Sequence, residues 1–429
     1  MEKTSKTYHI ITFGCQMNRS DTERVAAVLE HVGYKSVNSI ELADLVVINS
    51  CSVRQTAIDR VWGFLRNCEV IKEKREITYI LTGCILDDDK KRFTKRFDFV
   101  FDIKKLAEFE AYLHTRDMVG DDYLEVLPKY STEYQAFVPI MTGCNNFCSY
   151  CAVPYTRGRE TSRKVGDVLN EVRNLVANGC VHIELLGQNV NSYDPVDVEV
   201  FSENNPFEHN FARLLWEMNQ IDGLGRIYFS SAHPKDMTQE VIQAMALPNM
   251  LNYLHLALQS GSNEILAKMN RKYTSDDCRK IVQMIRHVNP NISLGTDIIV
   301  GFPGETEEDF EQTYQFYQEM DFDISFHAMY SPREGTMAAK FADDVSHEDK
   351  KKRWHRLQSQ MKKITLKKNQ RYKDRVVEVL VDKEYDGWCE GNSREMKRVR
   401  FQSDKSFVGK VVNVKVIEPK MWMLEGVLI

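Results

Sequence analysis

The N-terminal part of the chain alternates short apolar runs with stretches in which apolar residues recur every three or four positions. This pattern predicts strands that alternate with helices. The predicted strands are residues 8–13, 43–49, 77–82 and 97–101, and the predicted helices are residues 21–31 and 55–72, with a closing helix after the last strand. Because connections between parallel strands are right-handed crossovers, this order predicts an α/β domain built on a parallel sheet.

A second series of strands and helices begins at Ala136, after a polar stretch that contains a proline. Its predicted strands are residues 137–141, 181–186, 226–230, 253–258, 292–300 and 324–329, with long helical segments between them. Six such steps predict an open or partial (βα)6 barrel whose function lies at the carboxyl ends of its strands. Residues 192–210 lack periodicity and contain two prolines, so we expect a long loop there.

The pattern changes again near Ser346. Ser346 with Asp349 three residues later is a capping-box arrangement that predicts the start of a helix. Short β-like runs follow at residues 376–381, 407–416 and 423–429 and predict a small closed β-barrel of the oligonucleotide-binding kind. We therefore divide the chain into an N-terminal domain (1–120), a linker (121–135), a barrel core with a basic C-terminal helix (136–368) and a small β-barrel (369–429).

Composition is that of an ordinary soluble enzyme, with 43% hydrophobic and 28% charged residues among 429. Neither an 18-residue apolar run nor an N-terminal apolar signal core is present, so a cytoplasmic protein without a membrane span is expected. The net charge of −5 hides an asymmetry: residues 346–429 carry 21 Lys and Arg against 12 Asp and Glu, and the preceding residues carry a net −14. This segregation favours contact between the C-terminal region and a polyanion, the alternative being a merely solvated basic surface.

Ten cysteines in a chain with no secretory signal favour metal binding over disulfides. Cys15, Cys51 and Cys84 each follow a predicted strand of the first sheet, at the edge where open α/β sheets bind ligands. Their thiols could converge in space, and the alternative is three buried free thiols. Four other cysteines are flanked by apolar residues and are predicted to be buried in the core: Cys68, Cys180, Cys278 and Cys389.

The strongest local signal is a run of three cysteines in eight residues, Cys144, Cys148 and Cys151, directly after a predicted strand. Thiolates are the standard ligands of iron–sulfur clusters, and three of them would leave the fourth iron of a [4Fe–4S] cluster open to a small molecule. The alternatives are a zinc site, which prefers four protein ligands, or three core cysteines.

The run extends from Thr142 to Gly158 in a form that resembles the radical S-adenosylmethionine (SAM) superfamily and, within it, the methylthiotransferase family. Other blocks that carry the resemblance are Gly14-Cys-Gln-Met-Asn18, Asn49-Ser-Cys-Ser-Val-Arg54, Leu186-Gly-Gln-Asn-Val-Asn-Ser-Tyr193, Leu258-Gln-Ser-Gly-Ser262, Asp297-Ile-Ile-Val-Gly-Phe-Pro-Gly-Glu-Thr306 and Tyr330-Ser-Pro-Arg-Glu-Gly-Thr336. The match runs nearly end to end. It implies an N-terminal methylthiotransferase domain, a radical SAM core and a C-terminal TRAM domain of the kind associated with RNA binding.

The resemblance implies two [4Fe–4S] clusters, one on Cys144, Cys148 and Cys151 and one on Cys15, Cys51 and Cys84. It is closest to enzymes that add a methylthio group to C2 of N6-dimethylallyladenosine at position 37 of tRNA, next to the anticodon, with SAM as methyl donor and radical source. The alternatives are methylthiotransferases of threonylcarbamoyladenosine tRNA or of a ribosomal protein, and an RNA-binding protein whose clusters are structural. Candidate SAM contacts at the barrel strand ends and beside the cluster are Tyr150, Gln188, Gln259, Ser260 and Asp297.

The expected partners are tRNA carrying N6-dimethylallyladenosine, an electron donor and a sulfur source, with the chain acting as a monomer. The basic helix and the small barrel are expected to bind RNA phosphates, and the candidate contacts are Lys362, Lys363, Lys367, Lys368 and Arg157. Arg159 and Arg163 at the barrel mouth are the alternative RNA site. Candidate stacking platforms, unless they form the core of the small barrel, are Trp388, Phe401 and Phe407.

Overall fold

A computed structural model describes residues 6–53, 55–115, 118–120 and 122–429, except for the side chain of Asn67. Arg54, the last residue of one quoted block, lies outside these ranges. None of the helices in the described ranges has both the length and the apolar character needed to cross a membrane.

The N-terminal domain is a five-stranded parallel sheet flanked by helices. Its elements are β1 (Thr7–Phe13), α1 (Gln16–His31), β2 (Lys35–Ser36), β3 (Leu45–Cys51), α2 (Gln55–Lys72), β4 (Thr78–Cys84), α3 (Asp87–Phe93), β5 (Phe99–Val100) and α4 (Leu106–Tyr112). The strand order is β2-β1-β3-β4-β5, so the predicted parallel α/β sheet is confirmed. Strand β3 is buried along its whole length because helices cover both faces of the sheet.

The central part is an open barrel of six parallel strands. Its elements are β6 (Gln135–Pro139), β7 (Met141–Thr142), α5 (Val153–Thr156), β8 (Thr161–Ser162), α6 (Val165–Ala177), β9 (His182–Leu186), α7 (Asn210–Asn219), β10 (Arg226–Phe229), α8 (Gln239–Ala244), β11 (Tyr253–His255), α9 (Asn263–Lys268), α10 (Ser275–Val288), β12 (Ser293–Val300), α11 (Glu307–Met320), β13 (Ile324–Met329) and α12 (His347–Gln370). Strands β6, β9 and β10 form one sheet and β11, β12 and β13 another, and parallel bridges such as Ile227 to Met250 join the two. The barrel strands are thus arranged β6-β9-β10-β11-β12-β13.

The C-terminal domain is a closed five-stranded barrel, as predicted. Its strands are β14 (Val376–Tyr385), β15 (Trp388–Ser393), β16 (Arg398–Gln402), β17 (Val411–Pro419) and β18 (Leu424–Leu428), arranged β14-β15-β16-β18-β17. The apolar runs in the sequence did not predict β15 and β16. In β16 the buried Val399 and Phe401 alternate with Arg398 and Arg400, whose guanidinium groups pair with carboxylates on the barrel surface.

Two segments that were predicted to lie outside the main helices and strands are fastened to the domains beside them. Residues 193–209 contain only one short 3-10 helix, Val198–Val200, and the side chain of Asp197 holds this loop against α6 by accepting from Val165 N and Gly166 N at 2.7 and 3.0 Å. The segment before β6 is tied to α1, since the Glu23 carboxylate accepts from the amide and hydroxyl of Ser131. The N-terminal domain is therefore in contact with the segment that leads directly into the first barrel strand.

Candidate active site

The first cysteine triad lies at one edge of the N-terminal sheet. Cys51 and Cys84 are the last residues of β3 and β4 and stand directly opposite each other in register, while Cys15 is the residue that caps α1. Cys51 and Cys84 are hydrogen-bonded, which lowers the pKa of Cys51 and raises that of Cys84. Partial loss of water around its sulfur, with the sulfur of Cys84 close by, raises the pKa of Cys15. The structure thus brings the three thiols together, as the strand-end positions predicted.

Arg157, predicted as an RNA contact, connects this triad to the barrel and lies inside the protein. Its guanidinium donates from Nε to Cys84 Sγ at 2.9 Å, from Nη2 to the Asp21 carboxylate at 2.5 Å and from Nη1 to the Tyr123 hydroxyl at 3.1 Å. The side chains of Arg157 and Asp21 are 2% and 0% exposed. A guanidinium enclosed in this way has no surface to offer to a phosphate.

Breaking the ion pair between Arg157 and Asp21 should lower the free energy of unfolding. In an Arg157→Ala variant the Asp21 carboxylate stays buried without its partner, and the loss of one member of a buried ion pair costs about 3–5 kcal/mol. We expect the midpoint of urea unfolding to fall accordingly. The matched control is Arg159→Ala, which removes an exposed guanidinium that stacks on Phe147 at 4.4 Å and should change stability by less than about 1 kcal/mol. Equal midpoints for the two variants would show that the pair contributes nothing.

The second triad lies on the loop between β7 and α5. Gly143 begins the loop with φ +80°, and a Cβ at this position would lie 2.0 Å from the carbonyl oxygen of Arg159, so only glycine fits. The loop is fastened to the segment after α9, because Ser149 N donates to Met269 O at 2.9 Å and Asn270 Nδ2 donates to Phe147 O at 2.8 Å. Cys144, Cys148 and Cys151 are in this way presented at the carboxyl end of the barrel.

Both triads have the donor chemistry of an iron–sulfur cluster. Each offers three thiols, and in each a buried arginine donates to one sulfur: Arg157 to Cys84, and Arg271 Nη1 to Cys148 Sγ at 3.2 Å. A positive donor at sulfur favours the thiolate that binds iron. Burial opposes it and raises the pKa of Cys151 to about 12, so cluster binding must release protons. Across the described ranges, no three His, Cys, Asp or Glu side chains close on a point suited to a single metal ion.

The five candidate SAM contacts occupy different environments. Gln188 accepts from Gly143 N at 2.6 Å, directly beside the second triad, and Tyr150 packs on an apolar cluster that includes Met269 and Phe302. Gln259 has φ +77° and its backbone pairs with β12, which places it at the barrel mouth.

Ser260 and Asp297 both have protein partners that the sequence did not indicate. The Ser260 side chain is fully buried, and its hydroxyl bonds to Thr313 Oγ1 at 3.1 Å, so it fastens α11 instead of facing a cofactor. Asp297 lies 2.8 Å from His255 Nε2 inside the barrel.

A cavity of about 860 Å³ lies where the three domains meet, and we call it the central cavity. The N-terminal domain contributes Cys15 and Cys51 to its lining, and the barrel contributes Gln188 and Val153 from the neighbourhood of the second triad. The C-terminal barrel contributes Lys397, Arg398 and Trp422 at the other end. A volume of this size suits a ligand as large as a modified nucleoside. The central cavity is therefore lined by two cysteines of the first triad, by neighbours of the second triad and by the C-terminal domain.

Five further residues line the barrel side of the central cavity, and the motifs in the sequence did not point to them as a group. We call them the barrel wall, and they are Glu184, Tyr228, Tyr253, His255 and Asp297. The sequence feature that could have indicated this wall is Glu184, a carboxyl residue in the middle of a strand that is buried and mostly apolar. Asp297 was singled out, but as a SAM contact.

The basic helix α12 is in large part neutralised by acidic partners. Lys350 pairs with Asp343, and Arg353 with Glu305. Lys368, only 8% exposed, pairs with Asp321 at 2.6 Å, so its charge is engaged within the protein and is not presented on the helix surface. The predicted contacts that remain on the helix surface are Lys362, Lys363 and Lys367.

The residues of the alternative basic site and the candidate stacking platforms are mostly engaged within the protein. Arg163 is buried in an ion pair with Glu171 at 2.7 Å, so of the barrel-mouth arginines only Arg159 is exposed. Phe401 is fully buried, Phe407 packs on the same core, and the ring of Trp388 lies under the Arg400 guanidinium at 4.7 Å. The exposed aromatic residue of this domain that borders the central cavity is Trp422, with 51% of its surface accessible.

Comparison with known proteins identifies the family. Residues 138–317 match the radical SAM superfamily, and residues 7–102 match uncharacterized protein family UPF0004. The tRNA-2-methylthio-N(6)-dimethylallyladenosine synthase of Carboxydothermus hydrogenoformans is 41% identical over 448 residues, which cover 99% of each chain. The chain belongs to this synthase family. The synthase of the same name from Alkaliphilus oremlandii is 40% identical over 99% of this chain and 93% of its own.

Membership of the family confirms the resemblance seen in the sequence. The chain is a radical SAM methylthiotransferase, with SAM and a [4Fe–4S] cluster as the cofactors of that superfamily, and a purely structural RNA-binding role is excluded. The fold is shared more widely: a radical SAM methyltransferase, TsrM from Kitasatospora setae, superposes with a TM-score of 0.54 at 14% identity over 76% of this chain and 73% of its own.

Proposed function

We propose that this chain adds a methylthio group to C2 of N6-dimethylallyladenosine at position 37 of tRNA, in the cytoplasm and as a monomer. The observation that carries the proposal is a single cavity that Cys15 and Cys51 line directly and that the neighbours of the Cys144 loop line from the other side. A reaction that needs both a radical source and a sulfur carrier requires two such centres within reach of one substrate. Identity of about 40% over the whole chain with synthases of this name supports the choice of substrate over the threonylcarbamoyl and ribosomal-protein alternatives.

Two [4Fe–4S] clusters belong to this proposal, one on each cysteine triad. When bound, they and SAM supply the radical, the sulfur attachment and the methyl group that an unactivated aromatic C–H requires. The chain's own residues set the environment. Arg157 and Arg271 are buried and each place positive charge beside one triad. Gln188, Gln259, Tyr150 and Asp297 remain the proposed contacts for SAM.

Cleavage of SAM to a radical needs an electron to start it, and the replacement of C2–H by C2–S–CH3 needs a sulfur atom; this chain supplies neither. A one-electron donor and a sulfur source are therefore proposed partners, besides tRNA. The proposal is tested by incubating the anaerobically reconstituted protein with SAM, dithionite, sulfide and tRNA that carries N6-dimethylallyladenosine. Mass spectrometry of the digested RNA should show the 2-methylthio nucleoside. Formation of 5′-deoxyadenosine without any methylthiolated nucleoside would reject the substrate.

The exposed lysines of α12 are proposed to bind tRNA phosphates. Lys363 and Lys367 lie four residues apart on one face of the helix, so their effects should combine. A Lys363→Glu/Lys367→Glu variant should bind tRNA more weakly, and the slope of log affinity against log salt should decrease by about 2, because each phosphate contact releases about one counterion. Fluorescence anisotropy with labelled tRNA at several salt concentrations measures this.

A matched control has the same change of charge elsewhere. Arg173→Glu/Lys280→Glu places the two reversals on α6 and α10, on exposed positions of the outer barrel helices. We expect this control to keep the salt slope of the wild type. The same loss of affinity in both variants would show that only net charge matters and that α12 holds no RNA site.

A further inference from the structure

The barrel wall contains a carboxyl group, that of Glu184, that the protein satisfies at only one of its two oxygens. In β9 the side chains alternate, so that Ile183 and Leu185 pack in the core while Glu184 faces the interior of the barrel and lines the central cavity. Glu184 is 7% exposed, and its Oε1 has no hydrogen-bond partner within the part of the chain that the structure describes. Burying a carboxyl group in this way is unfavourable unless a ligand completes its hydrogen bonds.

The surroundings of Glu184 define the kind of ligand. The rings of Tyr228 and Tyr253, with centroids 5.8 Å apart, stand next to it and offer flat apolar surface. Burial raises the pKa of Glu184 to about 7, although a hydrogen bond from Ser230 and the charge of Arg19 oppose this. At neutral pH a large share of the molecules therefore carry a neutral carboxylic acid here, which offers one donor and one acceptor side by side.

The two ends of the central cavity differ in their lining. The barrel wall offers the rings of Tyr228 and Tyr253 beside Glu184. At the end formed by the C-terminal barrel the exposed ring of Trp422 borders the cavity, next to Lys397 and Arg398, which are paired with Asp323 and with Asp382 and Glu390. A nucleotide would therefore place its base against the barrel wall, and the flanking RNA would leave the cavity past Trp422. This is the arrangement by which enzymes hold a base that has been turned out of an RNA strand.

We propose that Glu184 binds the edge of an adenine base, accepting a hydrogen bond from the N6–H and donating one to N7. This edge lies on the far side of the purine from C2, so the pairing leaves C2 free to react. Two adenines reach the central cavity under the proposed function, on which this inference rests: the base of the tRNA and the adenine of SAM. The same chemistry recognises both, and the experiment separates them.

The test uses two substitutions that differ in pairing and not in size. In Glu184→Gln the amide keeps one donor and one acceptor and can pair with N6–H and N7, as glutamine does in DNA recognition. In Glu184→Met both are lost. Binding of an anticodon stem–loop RNA with N6-dimethylallyladenosine is measured by anisotropy, and binding of SAM by equilibrium dialysis, both on the anaerobically reconstituted enzyme.

We expect Glu184→Met to lower the affinity for one of the two ligands by roughly five- to hundredfold, which is the range for loss of a bidentate base contact. The affinities of Glu184→Gln should stay close to those of the wild type. A loss confined to the RNA assigns Glu184 to the substrate base, and a loss confined to SAM assigns it to the cofactor. Unchanged affinity for both ligands in Glu184→Met, or an equal loss in Glu184→Gln, overturns the proposal.

Two controls exclude a merely structural role. Glu184→Met removes the hydrogen bond from Ser230 but also the cost of burying the unpaired Oε1, so the thermal midpoint should change by little. Glu217→Met removes an equally buried carboxyl that accepts from Ser202 N at 2.7 Å, and it should lower the midpoint without changing either affinity. A lowered midpoint in Glu184→Met, with affinities that recover at low temperature, would show that the residue only supports the fold.

A change in the ligand tests the same contact independently. Replacing the target base by 7-deazaadenine, or SAM by its 7-deaza analogue, removes the N7 acceptor and should weaken the wild type while adding nothing in Glu184→Met. If wild-type enzyme forms no methylthio product on the stem–loop, the proposed function fails. If it forms product and Glu184→Met binds both ligands normally, only the present inference fails.

Discussion

A variant with Cys144, Cys148 and Cys151 all replaced by Ala should bind about half the iron of the wild type and should form no 5′-deoxyadenosine from SAM. These three thiols belong to one loop, which is fastened to the barrel through backbone contacts of Ser149 and Phe147, so removing the sulfurs leaves the fold in place. Iron and sulfide are measured after anaerobic reconstitution, and 5′-deoxyadenosine by chromatography after reduction with dithionite.

The control for this variant replaces three cysteines that the structure buries away from both triads. Cys68, Cys180 and Cys278 are each at most 2% exposed, as the sequence predicted, so their replacement by Ala should keep all of the iron. Full iron in the Cys144, Cys148 and Cys151 variant would contradict the assignment of a cluster to that loop. Loss of iron in the control would show that core packing, and not ligation, determines iron content.

The converse variant, with Cys15, Cys51 and Cys84 replaced by Ala, should separate the two activities. The second triad is intact, so SAM is still cleaved and 5′-deoxyadenosine still forms, but the sulfur-carrying centre is absent and no methylthiolated nucleoside should appear. Both products are quantified in the same reaction with tRNA. Full methylthiolation in this variant would contradict a role for the N-terminal triad, and loss of SAM cleavage as well would show that the two centres do not act separately.

The local pattern predicted most of the fold because strands and helices have distinct periods. The helix expected at residues 55–72 is α2, Gln55–Lys72, and the strand expected at 324–329 is β13. Helix α1 begins at Gln16, before the predicted start at Asp21. The hydrophobic pattern missed the first turn because most of its residues are polar. Asn18 in that turn donates to Asn49 of the neighbouring strand at 3.0 Å, a contact that hydrophobic periodicity cannot show.

The cysteine triads were predictable because ligands at strand ends and in one short run are local features. The roles of Arg157 and Lys368 were not, because their partners Asp21 and Asp321 lie elsewhere in the sequence and become neighbours only on folding. The sequence therefore shows how many basic residues a segment has, but it does not show which of them are exposed, because exposure depends on long-range packing. Glu184 is the opposite case, since burial among apolar residues makes it a candidate for ligand binding.

The attachment of the C-terminal barrel limits how these enzymes can be recombined. Arg226 at the start of β10 is 2% exposed and donates to Glu378 and to the carbonyl oxygens of Asn392 and Ser393, so the small barrel is anchored to a core strand. In a chimaera that exchanges the small barrel between relatives, the incoming barrel must therefore provide a carboxylate at position 378 and the backbone geometry of β15, so that Arg226 of the core keeps its partners. An engineered enzyme with a foreign RNA-binding module and an unmatched Arg226 would bury an unpaired charge at the joint.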